Sequence, residues 1–179
     1  RGPNSMIQGI SSEEGMEANY QLQWHQWHLF HKHDLPLEIE ICNTVHDSTE
    51  NISPIVHAPI AAYLIEHCGT THIHRRFRKR YGLEFNVGLE MEFEFGPSLG
   101  EMTDWNYRPE QLEKIVMKSQ EWAHANLGHP MQTETQMKAF RHNNNLLFKL
   151  RQEELREMPR NGVGELMILD RHIARELAY

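Results

Sequence analysis

Hydrophobic and polar side chains alternate from Phe85 to Phe95, a stretch that reads FNVGLEMEFEF. Every odd position is apolar, and every even position is Asn, Gly or Glu. In a β-strand such a period of two puts all the apolar side chains on one face. A shift of one residue would expose the whole set, so we predict that this strand fixes the register of a sheet.

Two earlier stretches also favour strands. Apolar side chains at Leu37, Ile39 and Ile41 alternate with acidic ones, which predicts a strand ending near Asn43. The aromatic and histidine stretch from Tyr20 to His33 has apolar residues three apart, which also suits a helix. Its aromatic content and the following turn favour one or two strands. The connection TVHDSTENISP has the composition of a loop.

The rest of the chain carries helix signals. Pro59 starts a helix that Gly69 breaks or kinks before a second piece that Gly82 closes. Another helix runs from Pro109 to the stop at Gly128. A capping box begins the next helix, which ends before a proline. The residues of this last prediction are Thr133 and Gln136 in the box, Met137, Phe140, Leu147 and Leu150 in the apolar stripe, and Pro159.

The chain then turns at NGVG, residues 161–164, into a short strand at 165–169 and a final helical piece. The predicted fold class is α+β, a mostly antiparallel sheet packed against a helical bundle in a single domain. With 179 residues, 39% of them hydrophobic, the chain can bury one proper core. No apolar run reaches the roughly 20 residues of a membrane span, and no signal peptide is recognisable.

The first residues of the chain are expected to lie outside the folded body. Residues 1–5, RGPNS, resemble a cloning remnant, residues 6–18 are predicted to be a flexible lead, and residues 19–179 the domain. Because the sequence stops within helix-like residues, we expect a segment of a longer protein. Cys42 and Cys68 are the only cysteines, so neither a disulfide framework nor a cysteine zinc site is indicated.

The net charge of −7 excludes a protein whose whole surface binds nucleic acid, so any such contact must be local. A basic cluster offers that contact, either for RNA phosphates or for nuclear import, although a solvated helix face explains it equally well. Its members are Arg75, Arg76, Arg78, Lys79 and Arg80. Protonation of the 13 histidines would reverse the sign of the net charge, which predicts strong pH dependence between about pH 7 and 5.

The histidines suggest metal binding only weakly. His31 with His33, or His72 with His74, could supply two ligands each from a strand. The second pair also matches the His-hydrophobic-His pattern of rolling-circle endonucleases, with Tyr81 nearby, but the basic residues that follow suggest a helix. No HExxH, GxSxG or Walker motif occurs. We therefore expect no metal, no cofactor, no catalytic residues and no enzymatic activity of the chain by itself.

Three residues could hold a purine. His46 and Phe95 supply flat rings, and Glu50 supplies a carboxylate that could accept hydrogen bonds from guanine. Stacking of a base on an aromatic ring contributes about 1–3 kcal/mol, and a cationic purine adds attraction to the ring. The alternative is that Phe95 belongs to the core and Glu50 is an ordinary acid in a turn.

Four patches of the chain resemble the cap-binding domain of the orthomyxovirus RNA polymerase, in its second basic subunit. They are Val45–Glu50 (VHDSTE), Glu94–Phe95, the run from Pro130–Met131 through Lys138–Phe140 to Leu147–Phe148, and Asn161–Gly164 continuing to Ile168–Leu169. They occur in the family's order over residues 20–170. The resemblance implies a module that holds the 7-methylguanosine cap of host messenger RNA for cap-snatching transcription.

By this resemblance His46 and Phe95 are the two plates of the cap sandwich, Glu50 reads the guanine, and Trp24 and Trp27 line the site. It also implies other viral polymerase subunits as partners, a location in the host nucleus and the virion, no membrane contact and a monomeric isolated domain.

The chain departs from the family at several positions. Ile65 or Glu66 stands where the family has a lysine that assists base recognition, and His129 and Gln132 replace residues that touch the cap phosphates. The connection from Gly96 to Arg108 is longer. These departures suit a distant, thogotovirus-like branch in which cap affinity is weak or lost. The alternatives are a docking module of the polymerase with a filled pocket and, less favoured, a metal-dependent His-x-His nuclease.

Overall fold

The computed structural model describes residues 4–34, 37–45, 48–83, 91–157 and 176–177. Its elements follow the order α1, β1, β2, α2, α3, β3, β4, α4, α5. The helices are α1 (Asn4–His33), α2 (Ala58–His67), α3 (Ile73–Tyr81), α4 (Pro109–Leu127) and α5 (Glu134–Glu157). The strands are β1 (Glu40–Val45), β2 (Ser48–Ile52), β3 (Phe93–Phe95) and β4 (Thr103–Trp105). A 3-10 turn (Ile55–His57) precedes α2, and a π-helical turn (Cys68–His72) joins α2 to α3.

Together these elements form a small α+β domain, as the sequence predicts. In the described ranges its strands form two antiparallel pairs, β1 with β2 and β3 with β4, rather than one sheet. In the alternating stretch from Phe85, only β3 is described as a strand: Met91 and Glu92 have no regular structure, and residues 85–90 lie outside the described ranges. The predicted NGVG turn and the strand after it also lie outside them, and of the final helical piece only residues 176–177 are described.

Helix α1 corrects two predictions. Residues 20–33 are helical and not strand, and the expected lead at residues 6–18 is part of the same helix. The buried positions explain why. Gln21, Leu22 and Leu29 face the interior at helical spacing, with half-buried His25 between them. The aromatic residues, whose β-leaning composition favoured a strand, lie on the other side of the helix.

The segment after β1 also differs from its prediction. Residues 48–52 of the expected loop form β2, which pairs back onto β1 with Glu50 opposite Asn43. The connection from Gly96 to Arg108 contains β4, and Phe95 pairs there with Thr103. Part of that connection is therefore a β-hairpin with β3.

The predicted helix ends are confirmed closely. Gly128 follows α4 in the left-handed conformation, with φ of 68°, which a glycine adopts without strain. The capping box before α5 is formed, because the Thr133 hydroxyl accepts a bond from the Gln136 amide at 3.3 Å. The Thr133 amide in turn donates to Gln136 Oε1 at 2.8 Å. The core lies where α1, α2, α4 and α5 meet, around Tyr63 and Phe140, both fully buried. None of the helices in the described part of the chain is apolar over a stretch that could cross a bilayer.

Candidate functional site

Phe95 lies in an aromatic cluster built by the β3–β4 hairpin. Its ring stacks on Phe93 with centroids 6.2 Å apart and meets Trp105 edge-on at 5.5 Å. Tyr107 lies against Trp105 at 4.8 Å. Phe95 is half-buried and packs against the core, so the protein's own side chains provide part of its surroundings. One ring of the predicted sandwich is thus held in a defined position.

The other two residues of the predicted sandwich belong to the β1–β2 hairpin. Glu50 is half-buried on β2, and His46 lies outside the described residues. The β1–β2 pair packs against α1, whereas β3 and β4 pack against α4. The gap between His46 and Phe95, and with it the sandwich, therefore stays a prediction.

Trp24 and Trp27 lie on α1 and not on a strand. They are 42% and 56% exposed, each against a histidine one turn along, His28 and His31 respectively. These two residues belong to an exposed apolar face of α1, which turns away from the buried positions of the helix. The members of this face are Met16, Tyr20, Trp24, Trp27 and Phe30.

The basic cluster lies on α3. The helix buries Ile73, His74 and Phe77 and turns its cationic side chains outward. Arg75, Arg78, Lys79 and Arg80 are exposed. Arg76 is less exposed and forms an ion pair at 3.1 Å with Glu17 of α1. Four exposed cations within six residues therefore cover the outer side of one short helix.

A buried ion pair that the sequence argument missed adjoins the aromatic cluster. Arg151 of α5 binds Glu66 of α2 through three hydrogen bonds of 2.8–3.1 Å. Its guanidinium also lies over the Tyr107 ring, 3.8 Å from the centroid. Glu66 occupies the region where the resemblance implies a lysine. The cation in this region is Arg151 of α5, and the Glu66 carboxylate neutralises its charge. The two partners are 85 positions apart, so no local sequence pattern could have paired them.

The predicted histidine pairs are not on strands. His31 and His33 belong to α1, and His72 and His74 lie at the junction of the π-helical turn with α3. Residues two apart on a helix do not face each other. The strand that a His-x-His nuclease site requires is therefore missing at His72.

Three imidazoles do converge, in a combination that the sequence argument did not consider. His25, His67 and His72 each place a ring nitrogen within 4.8 Å of the other two. A sequence signal existed, because His67 and His72 flank the Gly69 kink, but their partner His25 lies on a helix that was predicted as strand.

Comparison with other proteins adds no relative: no family model, no curated protein and no solved structure matches this chain.

Proposed function

We propose that this chain is a non-enzymatic RNA-binding domain of the cap-binding type, from a subunit of a segmented negative-strand RNA virus polymerase. In this role it would hold capped host RNA for cap-snatching transcription, with an affinity for the cap that is weak compared with that of the family. The proposal has two parts, contact with phosphates by α3 and recognition of the cap by Phe95, Glu50 and His46.

The observation that carries the proposal is the exposed cationic side of α3. The chain as a whole is acidic, with a net charge of −7, so this helix is a local exception. Lysine and arginine contacts with phosphates supply most of the sequence-independent affinity for nucleic acid. A short helix with outward cations can supply these contacts while the rest of the surface repels RNA.

Cap recognition is supported by the chemistry of the two described residues that the resemblance names. Phe95 is fixed by Phe93 and Trp105, and a fixed ring stacks on a base at little entropic cost. Glu50 lies on a paired strand, opposite Asn43, and is four residues from His46 in the sequence. A carboxylate can accept bonds from both the N1–H and the exocyclic amine of guanine.

The phosphate part predicts a change in salt dependence. Replacing Lys79 and Arg80 with alanine should weaken binding of single-stranded RNA and lower the slope of log affinity against log salt by about 1.4, which is roughly 0.7 for each lost contact. Lys114→Ala with Lys118→Ala, two exposed cations of α4, is the matched control. Equal slopes for the two double variants, measured by fluorescence anisotropy, would contradict a specific role of α3.

The cap part predicts an effect of Glu50. Glu50→Gln should weaken binding of 7-methylguanosine triphosphate by about 1.5–3 kcal/mol, the usual contribution of a hydrogen bond to a charged group. Glu94→Gln changes an exposed acid beside Phe95 and should leave the affinity unchanged. Titration calorimetry gives both values, and absence of binding by the unmodified protein would reject the cap part while leaving the α3 part standing.

A second candidate function is docking within the polymerase without RNA recognition. Two observations favour it: the exposed apolar face of α1, and the packing of Phe95 against side chains of its own hairpin. A thermal shift separates the candidates. A cap analogue at about 100 times its Kd should add about 2.7 kcal/mol to the free energy of unfolding, whereas docking alone predicts no shift.

A further inference from the structure

His25, His67 and His72 form a compact cluster where α1 crosses the junction of α2 and α3. The ring centroid of His25 lies 5.6 Å from that of His67 and 5.6 Å from that of His72. The centroids of His67 and His72 are 6.0 Å apart. The His25 ring meets each of the other two edge to face. One ring nitrogen of each lies within 4.8 Å of the others.

The π-helical turn is what brings His67 and His72 together. Residues five apart in a regular α-helix point in different directions, but hydrogen bonds in a π-helix join residues five apart and align them. His67 ends α2, and His72 is the last residue of the π-helical turn. His25 approaches from α1 on the side that faces the interior, between buried Leu22 and Leu29.

Local contacts hold the backbone in this turn. The Thr70 hydroxyl donates to the carbonyl of Glu66 at 2.7 Å, which competes with the regular helical bond to that oxygen. Gly69 leaves room for Met91, because a Cβ at position 69 would collide with the Met91 sulfur. π-Helical turns occur often at functional sites, where they re-aim side chains.

The cluster leaves a buried ring nitrogen unsatisfied, as expected of a group that is available to a metal ion. The Nε2 atom of His25 is buried and has no hydrogen-bond partner among the described residues.

We propose that His25, His67 and His72 bind one divalent transition-metal ion, with Zn²⁺ as the best fit and a fourth position open to water. Imidazole nitrogens suit Zn²⁺, whereas Mg²⁺ and Ca²⁺ require oxygen ligands. Zn–N bonds of about 2.0–2.1 Å in a tetrahedral site separate the ligand atoms by about 3.3 Å. The three nitrogens therefore need to approach each other by no more than about 1.5 Å.

The adjacent cysteine does not complete the site. Cys68 is buried in the hydrophobic core, and its sulfur does not belong to the group of ligand atoms that lie within 4.8 Å of one another. The site thus has three protein ligands, and its ion would fasten α1 to the kink between α2 and α3.

A cobalt titration tests the site directly. After removal of metals with a chelator, addition of Co²⁺ should give the intense visible bands of a tetrahedral ion, saturating at one equivalent, and Zn²⁺ should displace it. We expect each of the variants His25→Ala, His67→Ala and His72→Ala to weaken metal binding by more than about 100-fold. Replacing a residue that only hydrogen-bonds to a metal ligand costs less, about 10–100-fold. The matched control is His31→Ala, an exposed histidine of the same helix, and it should bind as the unmodified protein does.

NMR of the unmodified protein keeps the test independent of whether the variants fold. Zn²⁺ at one equivalent should shift the imidazole signals of His25, His67 and His72 and leave the His31 signals in place. Shifts confined to other histidines, or Co²⁺ binding that His31→Ala weakens as much as His25→Ala does, would overturn the proposal. Absence of tetrahedral bands and of any zinc-induced shift would overturn it as well.

Discussion

Single residues connect the helices to the aromatic hairpin. Glu66 and Arg151 are only 8% and 13% exposed and join α2 to α5, while Arg151 also covers the Tyr107 ring. Two buried charges are tolerated because three hydrogen bonds satisfy them. The hairpin that carries Phe95 therefore depends on a polar contact as well as on apolar packing.

We predict that removal of one member of this pair is costly. Arg151→Met leaves the Glu66 carboxylate buried without its cation and should lower the free energy of unfolding by about 3–5 kcal/mol. The double variant with Glu66→Leu should regain part of this loss. Arg141→Met breaks an exposed pair with Glu113 and should have a much smaller effect in the same denaturant titration. Equal losses at the two arginines would contradict the account.

We predict that His57 makes the free energy of unfolding fall in acid. It is buried at the start of α2, and burial lowers its pKa from the ordinary value, although Glu38 opposes the shift. A lowered pKa in the folded state means that the contribution is present above about pH 6.5 and is lost as the pH falls. The unmodified protein should therefore lose more free energy of unfolding between pH 7 and 5 than His57→Gln does. Identical pH profiles would refute this role.

At the scale of elements, α1 shows why an aromatic stretch can mislead. Its large aromatic side chains repeat at three and four residues, yet they lie on the exposed side, while Gln21, Leu22, His25 and Leu29 face the interior. The exposed side of α1 is apolar, and its buried side carries both polar and apolar side chains. The hydrophobic residues of its sequence therefore do not follow the pattern of a helix with one apolar, buried face. Its many aromatic residues, a type enriched in strands, therefore favour a strand when only the sequence is considered.

Gly69 in the π-helical turn and Gly100 between β3 and β4 give a matched pair of glycine variants. Gly69→Ala should lower the free energy of unfolding by at most about 1 kcal/mol, the lower end of the cost of overpacking, because the added methyl group collides with the flexible Met91 side chain, which can move. Gly100→Ala has no heavy atom within 4 Å of the added group, so it should be neutral or stabilise by up to about 1 kcal/mol. Thermal unfolding of both variants gives the comparison, and a harmless Gly69→Ala would contradict the tight contact.

At the scale of the whole molecule, the sequence predicted the elements whose signals are local. Pro109, Gly128 and the Thr133–Gln136 capping box marked α4 and α5 because caps depend on neighbouring residues. The pairing of strands depends on partner residues outside the strand itself, so the composition of residues 48–52 predicts a loop where β2 forms. The same limit hid the His25, His67 and His72 cluster and the Arg151 contact, since both join separate elements.

The central claim is that this domain distinguishes capped RNA from the same RNA without a cap. The most direct measurement is the equilibrium binding of one short RNA that carries either a 7-methylguanosine cap or a 5′ triphosphate, at a fixed salt concentration. The account predicts tighter binding of the capped RNA, by about tenfold for each 1.4 kcal/mol gained from stacking. Equal affinity for the two RNAs would contradict it.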